Sequence, residues 1–148
     1  MAGAEPFLET ARDQNGRQPQ QEMPANVRFG QRLRKVAAID VGTNSTHLLV
    51  ASVDVGLGTF SIELAEKSTT RLGEKDPDTG ELTAEAMDRG MSSLRRFQEL
   101  AISHQVEQIV IAATSAVREA PNGRDFLQTV QDQLGLDVDL VSGPEEAR

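Results

Sequence analysis

Hydrophobic residues in the first half of this chain form short runs that suit β-strands. Alternating or continuous apolar runs lie near residues 35–40, 47–54 and 59–66, and they predict three strands. In the third run, Phe60, Ile62 and Leu64 alternate with polar residues. The connections are short and contain glycine, so the three strands are expected to form an antiparallel meander.

A long amphipathic helix follows a predicted loop over residues 67–82. Thr83 suits the N-cap, Glu85 falls in the first turn, and the helical spacing continues to about Ser103. One face carries apolar residues at helical spacing, namely Met87, Met91, Leu94, Phe97 and Ala101.

The run Ile109–Ala113 is continuously apolar. It predicts a strand over Val106–Thr114 that is buried on both faces in a central, parallel position. A short turn over Ser115–Arg118 is expected to follow it.

The next helix is expected to begin at an Asn122 cap and to stop at Gly135. A fifth strand is predicted over Leu136–Val141. Ser142–Glu145 then has the Ser-x-x-Glu form of a capping box, which opens another helix. Because the chain stops at Arg148, one turn into that helix, it is expected to be the N-terminal part of a longer protein.

Residues 1–33 are polar and lack a sustained apolar period, which predicts a disordered tail. Residues 34–148 are expected to form the first part of one α/β domain with a mixed sheet and flanking helices.

The turn after the first predicted strand has the residue types of a phosphate loop. Gly42 can take a positive φ, and Thr43, Asn44 and Ser45 offer hydroxyl, amide and main-chain N–H donors. Asp40 precedes them and can hold a hydrated divalent cation. The alternative is an ordinary hairpin turn with a buried Asp cap.

Composition narrows the chemistry that this chain can perform. It has no Cys and only two His, so any metal is expected to be bound through oxygen. The net charge is −8, all of it carried after residue 33, which disfavours nucleic-acid binding. With neither a membrane span nor a secretory signal in the sequence, the expected location is the cytoplasm, with no membrane partner.

Three groups of candidate residues follow three strands that are expected to be parallel. They are Asp40, the segment Thr114–Arg118 and Glu146. Ligands of open α/β sheets bind at the edge where such strands end. Thr114 and Ser115 would supply hydroxyls and Arg118 a planar cation, although a surface pair between Arg118 and Glu119 is the simpler alternative.

Two more polar groups need an explanation. Glu145 and Glu146 lie in the first turn of the last predicted helix. Glu146 could deprotonate an attacking water, and the capping box accounts for Glu145. His47 lies within an apolar strand and is expected to be a core histidine rather than a catalytic base.

Four motifs occur in a telling order and spacing. They are Asp40-Val-Gly-Thr-Asn-Ser-x-His47, Thr69-Thr-Arg-Leu-Gly-Glu74, Thr114-Ser-Ala-Val-Arg-Glu-Ala-Pro-Asn122 and Ser142-Gly-x-Glu-Glu-Ala-Arg148. With them the chain resembles the exopolyphosphatase and guanosine pentaphosphate phosphohydrolase (Ppx/GppA) family from Lys35 to Arg148.

This resemblance implies an actin-like, ribonuclease-H-like domain that is paired with a second such domain in the complete protein. It implies hydrolysis of terminal phosphate from polyphosphate or guanosine pentaphosphate with Mg²⁺. Glu146 matches the catalytic Glu, Arg118 the phosphate-binding Arg, and Asp40 to Ser45 the first phosphate loop. The family's second phosphate loop would follow the end of this chain, so the 148 residues alone are expected to be inactive.

Two other functions stay open at this point. The Asp-x-Gly-Thr turn is shared with ATP-dependent kinases and ATPases of the same superfold, and a non-catalytic sensor of polyphosphate or the alarmone would use the same loops. The sequence does not choose between the two substrates, and it leaves a homodimer of the complete protein as an option.

Overall fold

The computed structural model describes residues 33–142, which form one five-stranded mixed sheet with helices packed on one face. The elements in chain order are β1 (Leu33–Val41), β2 (Ser45–Asp54), β3 (Thr59–Thr69), α1 (Ala84–Ser103), β4 (Gln108–Ala113), α2 (Ser115–Glu119), α3 (Gly123–Leu134) and β5 (Asp139–Leu140). The tail predicted over residues 1–33 falls almost wholly outside the described residues. The helix predicted to begin at Ser142 does as well, apart from Ser142 itself.

The strands are arranged in the order β3-β2-β1-β4-β5. Strand β2 is antiparallel to both β1 and β3, while β4 is parallel to β1 and to β5. The predicted meander and the predicted parallel set are therefore both confirmed. From β1 the chain turns to one side of the sheet and from β4 it moves to the other, so a topological switch point lies between their carboxyl ends.

The third predicted strand is present as β3, but its alternating apolar residues do not share one face. The β2–β3 register shifts between Val50 and Ala51, where Leu64 pairs with Val50 but Ile62 pairs with Ala51. The bulge puts Leu64 on the side that packs against the core, whereas Phe60 and Ile62 are 67% and 56% exposed. One inserted residue is enough to move apolar side chains to the opposite face of a strand.

Helix α1 is bounded as the sequence predicts. The Thr83 hydroxyl accepts a hydrogen bond from the Ala86 N–H at 3.1 Å, and His104 takes the C-cap. Phe97 is fully buried on its inner face, and Met87 and Met91 pack at the edge of the core. The stripe predicted from helical spacing therefore forms the face that meets the sheet.

Helix α3 also runs as predicted, ending at a left-handed Gly135 with φ of 66°. Its start differs, because Asn122 occupies the N-cap position without a side-chain cap hydrogen bond. The Asn122 amide instead bonds both main-chain groups of Leu82: Oδ1 accepts from the N–H at 2.8 Å, and Nδ2 donates to the carbonyl at 3.0 Å. A tertiary contact thus replaces the predicted local cap.

The core lies between the sheet and the helices, and the other face of the sheet is open in the described residues. Ile39, Ile111 and Phe97 are each at most 2% exposed on the core side. On the open face Val110 is 47% exposed, so the prediction that β4 is buried on both faces was wrong for this part of the chain. Strand β5 is also shorter than predicted: Asp139 and Leu140 pair with β4, and the Val141 N–H then donates to the Ala113 carbonyl at 3.0 Å.

Candidate phosphate-binding site

A cleft opens at the switch point between β1 and β4, where the sequence placed the candidate residues. Asp40, Ala112, Thr114, Ser115 and Val141 line it, and its volume is about 410 Å³. These residues come from the ends of β1 and β4, from the start of α2 and from the segment after β5. The three parallel strands therefore bring their carboxyl ends to one place, as expected for this sheet topology.

Two loops meet at this cleft through direct hydrogen bonds. The Thr114 N–H donates to the Val41 carbonyl at 3.1 Å, which continues the β1–β4 ladder past the end of both strands. The Thr43 and Ser115 hydroxyl oxygens are 3.3 Å apart. The loop after β1 and the start of α2 thus form one polar surface.

Gly42 shapes the first loop by close contact, and it does not take the positive φ that the sequence suggested. Within the described residues, the glycines with positive φ are Gly58, Gly80 and Gly135. The Gly42 N–H donates to the Ser45 carbonyl at 3.1 Å, and a Cβ at this position would lie 2.8 Å from that oxygen. A larger residue would therefore push the turn open.

The segment after β3 holds the outer side of this loop. The Arg71 N–H donates to the Asn44 carbonyl and the Gly73 N–H to the Thr43 carbonyl, each at 2.9 Å. Because a trans peptide points its C=O and the following N–H in opposite directions, the N–H groups of Asn44 and Ser45 are directed away from this segment. That orientation suits the predicted role of these two residues as anion donors.

Sequence reasoning noted the residues Arg71-Leu-Gly-Glu74 but did not assign them this supporting role. The signal in the sequence was the glycine at position 73. In the structure, a Cβ at Gly73 would lie 2.5 Å from Thr43 Cγ2. A glycine in a polar loop often marks a close approach of two backbones. Which two segments approach each other becomes known only once the strands are paired.

Arg118 points its guanidinium toward the end of β5. Its Nη1 donates to the Val141 carbonyl, and Val141 lines the cleft. Its Nη2 is 3.9 Å from Glu119 Oε1, so the surface pair considered as the alternative exists only at long range. The Arg118 side chain is 29% exposed.

Asp40 lies inside β1, one residue before the strand ends, with an exposed side chain. Its cross-strand neighbours are His47 on β2 and Ala112 on β4. The alternative of a buried Asp cap is therefore wrong. The expectation for His47 is wrong as well, since the alternation of β2 puts this residue on the open face, where it is exposed.

The donor set around Asp40 suits a hard divalent cation. A carboxylate and the nearby Thr114 and Ser115 hydroxyls are oxygen ligands, and Mg²⁺ usually keeps several waters and uses only one or two carboxylates. Over residues 33–142, no group of three Asp, Glu, His or Cys side chains could hold a metal ion unaided. Glu146, the predicted base, lies outside the described residues.

The family-model comparison matches residues 49–148 to the Ppx/GppA phosphatase family. The chain belongs to this family. The Ppx/GppA match starts after the first phosphate-loop motif and covers the other three motifs that the sequence pointed to.

Curated relatives extend the similarity to most of the chain. Exopolyphosphatase 1 of Mycobacterium tuberculosis (strain H37Rv) is 34% identical over 115 residues, which cover 77% of this chain and 33% of that protein. Exopolyphosphatase 2 of the same strain is 36% identical over 122 residues, covering 78% and 38% respectively. The matched part of the chain thus spans 33% and 38% of the length of these two Ppx/GppA relatives.

Solved structures agree on the fold. The Aquifex aeolicus member of the Ppx/GppA family matches with a TM-score of 0.72 and 32% identity, over 77% of this chain and 37% of that one. An exopolyphosphatase from Cytophaga hutchinsonii matches with a TM-score of 0.71 and 32% identity, over 77% and 36%. The predicted actin-like α/β fold is confirmed by these Ppx/GppA structures and by the mixed sheet.

None of the helices between residues 33 and 142 is both long enough and apolar enough to cross a bilayer.

Proposed function

We propose that the complete protein carrying this domain is a phosphoanhydride hydrolase that releases terminal phosphate from inorganic polyphosphate. Membership of the Ppx/GppA family and the exopolyphosphatase relatives support this reaction class. The observation that carries the proposal is the hydroxyl pair Thr43 and Ser115, 3.3 Å apart, which joins two loops into one polar surface. That surface would supply hydrogen-bond donors to phosphate oxygens.

The site's own residues suggest how the terminal phosphate would be held. Main-chain N–H groups of Asn44 and Ser45 would face the phosphate oxygens, and the Thr43 and Ser115 hydroxyls would donate from the neighbouring loop. Arg118 would add a permanent positive charge from the β5 side of the cleft. In an otherwise acidic domain, such a local concentration of donors is what a polyanion requires.

Asp40 would hold Mg²⁺ through its exposed carboxylate, with the remaining ligands supplied by water and phosphate oxygens. When bound, the ion supplies charge neutralisation at the bridging and terminal oxygens.

Glu146 is proposed as the base by its place in the family motif. Its carboxylate would accept a proton from water while that water attacks the terminal phosphorus in line with the leaving oxygen. Arg118 and the loop donors would stabilise the charge that develops on the three equatorial oxygens. The products are orthophosphate and a polyphosphate shortened by one unit.

Phosphate release by the complete protein with Mg²⁺ tests this function. Long-chain polyphosphate and guanosine pentaphosphate are compared, since the proposed donors would hold phosphate groups and no residue is assigned to a guanosine. Glu146→Gln is expected to abolish release from the preferred substrate while binding survives. Glu145→Gln is the matched control, because it removes the same charge one residue away and should keep most of the rate.

The same assay separates the rival functions. Phosphate transfer from ATP to an acceptor, with no release from polyphosphate, would favour a kinase. Tight binding of polyphosphate or guanosine pentaphosphate without turnover would favour a sensor. Normal turnover by Glu146→Gln would show that the base has been wrongly assigned.

A further inference from the structure

Arg71 lies beside the candidate phosphate loop in an unusual backbone conformation. Its main-chain N–H bonds the Asn44 carbonyl at 2.9 Å, so the two loops are in direct contact at this residue. Its φ is 46°, in the left-handed region that residues other than glycine seldom occupy. Asn and Gly adopt this conformation more readily, yet the position carries a long cationic side chain.

The charges around Arg71 do not cancel. Arg71 Nε is 3.4 Å from Glu74 Oε1, while Arg89 Nη2 is 2.7 Å from Glu74 Oε2. One carboxylate therefore faces two guanidinium groups, and this set of three side chains has a net charge of about +1. It stands next to a loop that is proposed to bind phosphate, in a domain that is acidic overall.

The two arginines are held very differently. Arg89 also donates from Nε to the Thr70 carbonyl at 2.8 Å and from Nη2 to the Arg71 carbonyl at 3.3 Å, and its side chain is 30% exposed. The Arg71 side chain is 60% exposed, and its contact with Glu74 is longer. Arg89 therefore fixes Glu74 and the loop backbone, while the Arg71 guanidinium is positioned at the surface by a weak, exchangeable ion pair.

We propose that Arg71 binds a phosphate of the polyanion that lies beyond the phosphate adjacent to the one being removed. This inference rests on the proposed function and adds a substrate contact to it. The planar guanidinium matches phosphate oxygens in a bidentate arrangement, and the exposed ion pair with Glu74 is weak enough to be exchanged for such a contact. Arg71 would thereby help to select a chain of phosphates over a single phosphoanhydride.

The test uses the complete protein, with Arg71→Asn and Arg71→Lys as the variants. Asn tolerates the left-handed φ, so Arg71→Asn removes the guanidinium with little backbone strain. Arg95→Ala is the matched control, since it removes one positive charge from an exposed position of α1. Melting temperatures of all variants establish that each is folded.

Arg71→Asn is expected to raise KM for long-chain polyphosphate about tenfold, with kcat changed less than twofold. Arg71→Lys should recover part of the loss, and Arg95→Ala should match the unmodified protein. The increase in KM should be smaller for pyrophosphate, which has no upstream phosphate beyond the leaving group. Equal KM values for Arg71→Asn and Arg95→Ala, or an equal increase for both substrates, would overturn the proposal.

Titration of polyphosphate onto the Glu146→Gln protein, with and without Arg71→Asn, separates this inference from the proposed function. If the unmodified protein binds polyphosphate but never releases phosphate, the proposed hydrolase fails, while a roughly tenfold weaker affinity with Arg71→Asn still supports the contact. If affinity is unchanged by Arg71→Asn, the contact is wrong even when the hydrolase is right.

Discussion

The Thr43 hydroxyl lies 3.3 Å from the Ser115 hydroxyl, although 72 residues separate them in the chain. Thr43 belongs to the turn between β1 and β2, and Ser115 begins α2. The parallel pairing of β1 with β4 brings these loops together at the switch point of the sheet. Any change that moves α2 should therefore change the candidate phosphate site.

Gly123→Ala is expected to disturb the site from a distance. A Cβ at Gly123 would lie 1.9 Å from the Val117 carbonyl oxygen, so α2 would have to move away from α3. We expect a loss of about 3 kcal/mol in the free energy of unfolding, together with a clear fall in kcat/KM for phosphate release.

Urea unfolding and steady-state kinetics of the complete protein check this expectation. Gly58→Ala is the control, because Gly58 has a φ of +64° but no neighbouring atom within 4 Å of a Cβ. It should cost about 1–2 kcal/mol in stability through backbone strain and leave kcat/KM unchanged. If both variants lowered kcat/KM equally, the link between α2 and the site would be refuted.

Asn122→Ala is expected to loosen the segment before α1. The variant leaves the N–H and the carbonyl of Leu82 without the Asn122 amide, at a cost of about 1–3 kcal/mol in the free energy of unfolding. Asn122→Asp keeps the acceptor for the Leu82 N–H but loses the donor, so its stability should be intermediate. A variant ranking in which Asp is no better than Ala would contradict the assigned bonds.

Glu63 should make stability depend on pH. The Ser52 hydroxyl donates to Glu63 Oε1 at 2.6 Å, and Lys35 Nζ and His104 Nδ1 each lie 3.5 Å from Oε2. The hydrogen bond from Ser52, followed by the contacts with Lys35 and His104, lowers the pKa of Glu63 below its ordinary value. A lowered pKa means that the stabilisation is present above the unfolded-state pKa and is lost as the pH falls through the folded-state pKa.

The stability of Glu63→Gln, measured across acidic and neutral pH, tests this. The unmodified protein should exceed the variant in free energy of unfolding at neutral pH, and the difference should shrink in acid. Ser52→Ala should reduce the same pH dependence, since it removes the largest cause of the shift. A difference between the unmodified protein and Glu63→Gln that does not vary with pH would contradict the assignment.

Asp40→Asn is expected to weaken the affinity for Mg²⁺. In the complete protein the variant should need at least tenfold more Mg²⁺ for half-maximal phosphate release, because the amide lacks the charge that a hard cation favours. Asp139→Asn is the control, since Asp139 and Asp40 pair with Ala112 from opposite sides. Equal Mg²⁺ requirements in the two variants would remove Asp40 from the metal site.

Much of the fold follows from local patterns. Helix α1 begins after Thr83 and ends before His104, as the capping residues and the apolar stripe predict. Apolar periodicity and capping residues indicate where a helix begins and ends, and both lie within one or two helical turns of the sequence. The fold could therefore be predicted wherever the signal is local.

The errors occur where a contact between distant segments decides the outcome. The bulge at Val50 and Ala51 puts Ile62 on the open face of the sheet. The Asn122 side chain bonds the main chain of Leu82 instead of capping its own helix. In the candidate site, the close contact of Gly42 with Ser45 and the support from the Arg71 main chain depend on strand pairing. The hydrophobic periodicity of one segment does not show which distant segment it will contact.

Turnover of polyphosphate by the complete protein in ¹⁸O-labelled water, with Mg²⁺ present, tests the central claim most directly. If water attacks the terminal phosphorus, each orthophosphate released in a first turnover carries one ¹⁸O atom, and the Glu146→Gln protein releases none above background. Absence of released orthophosphate, or label-free phosphate transferred to an acceptor, would contradict the account.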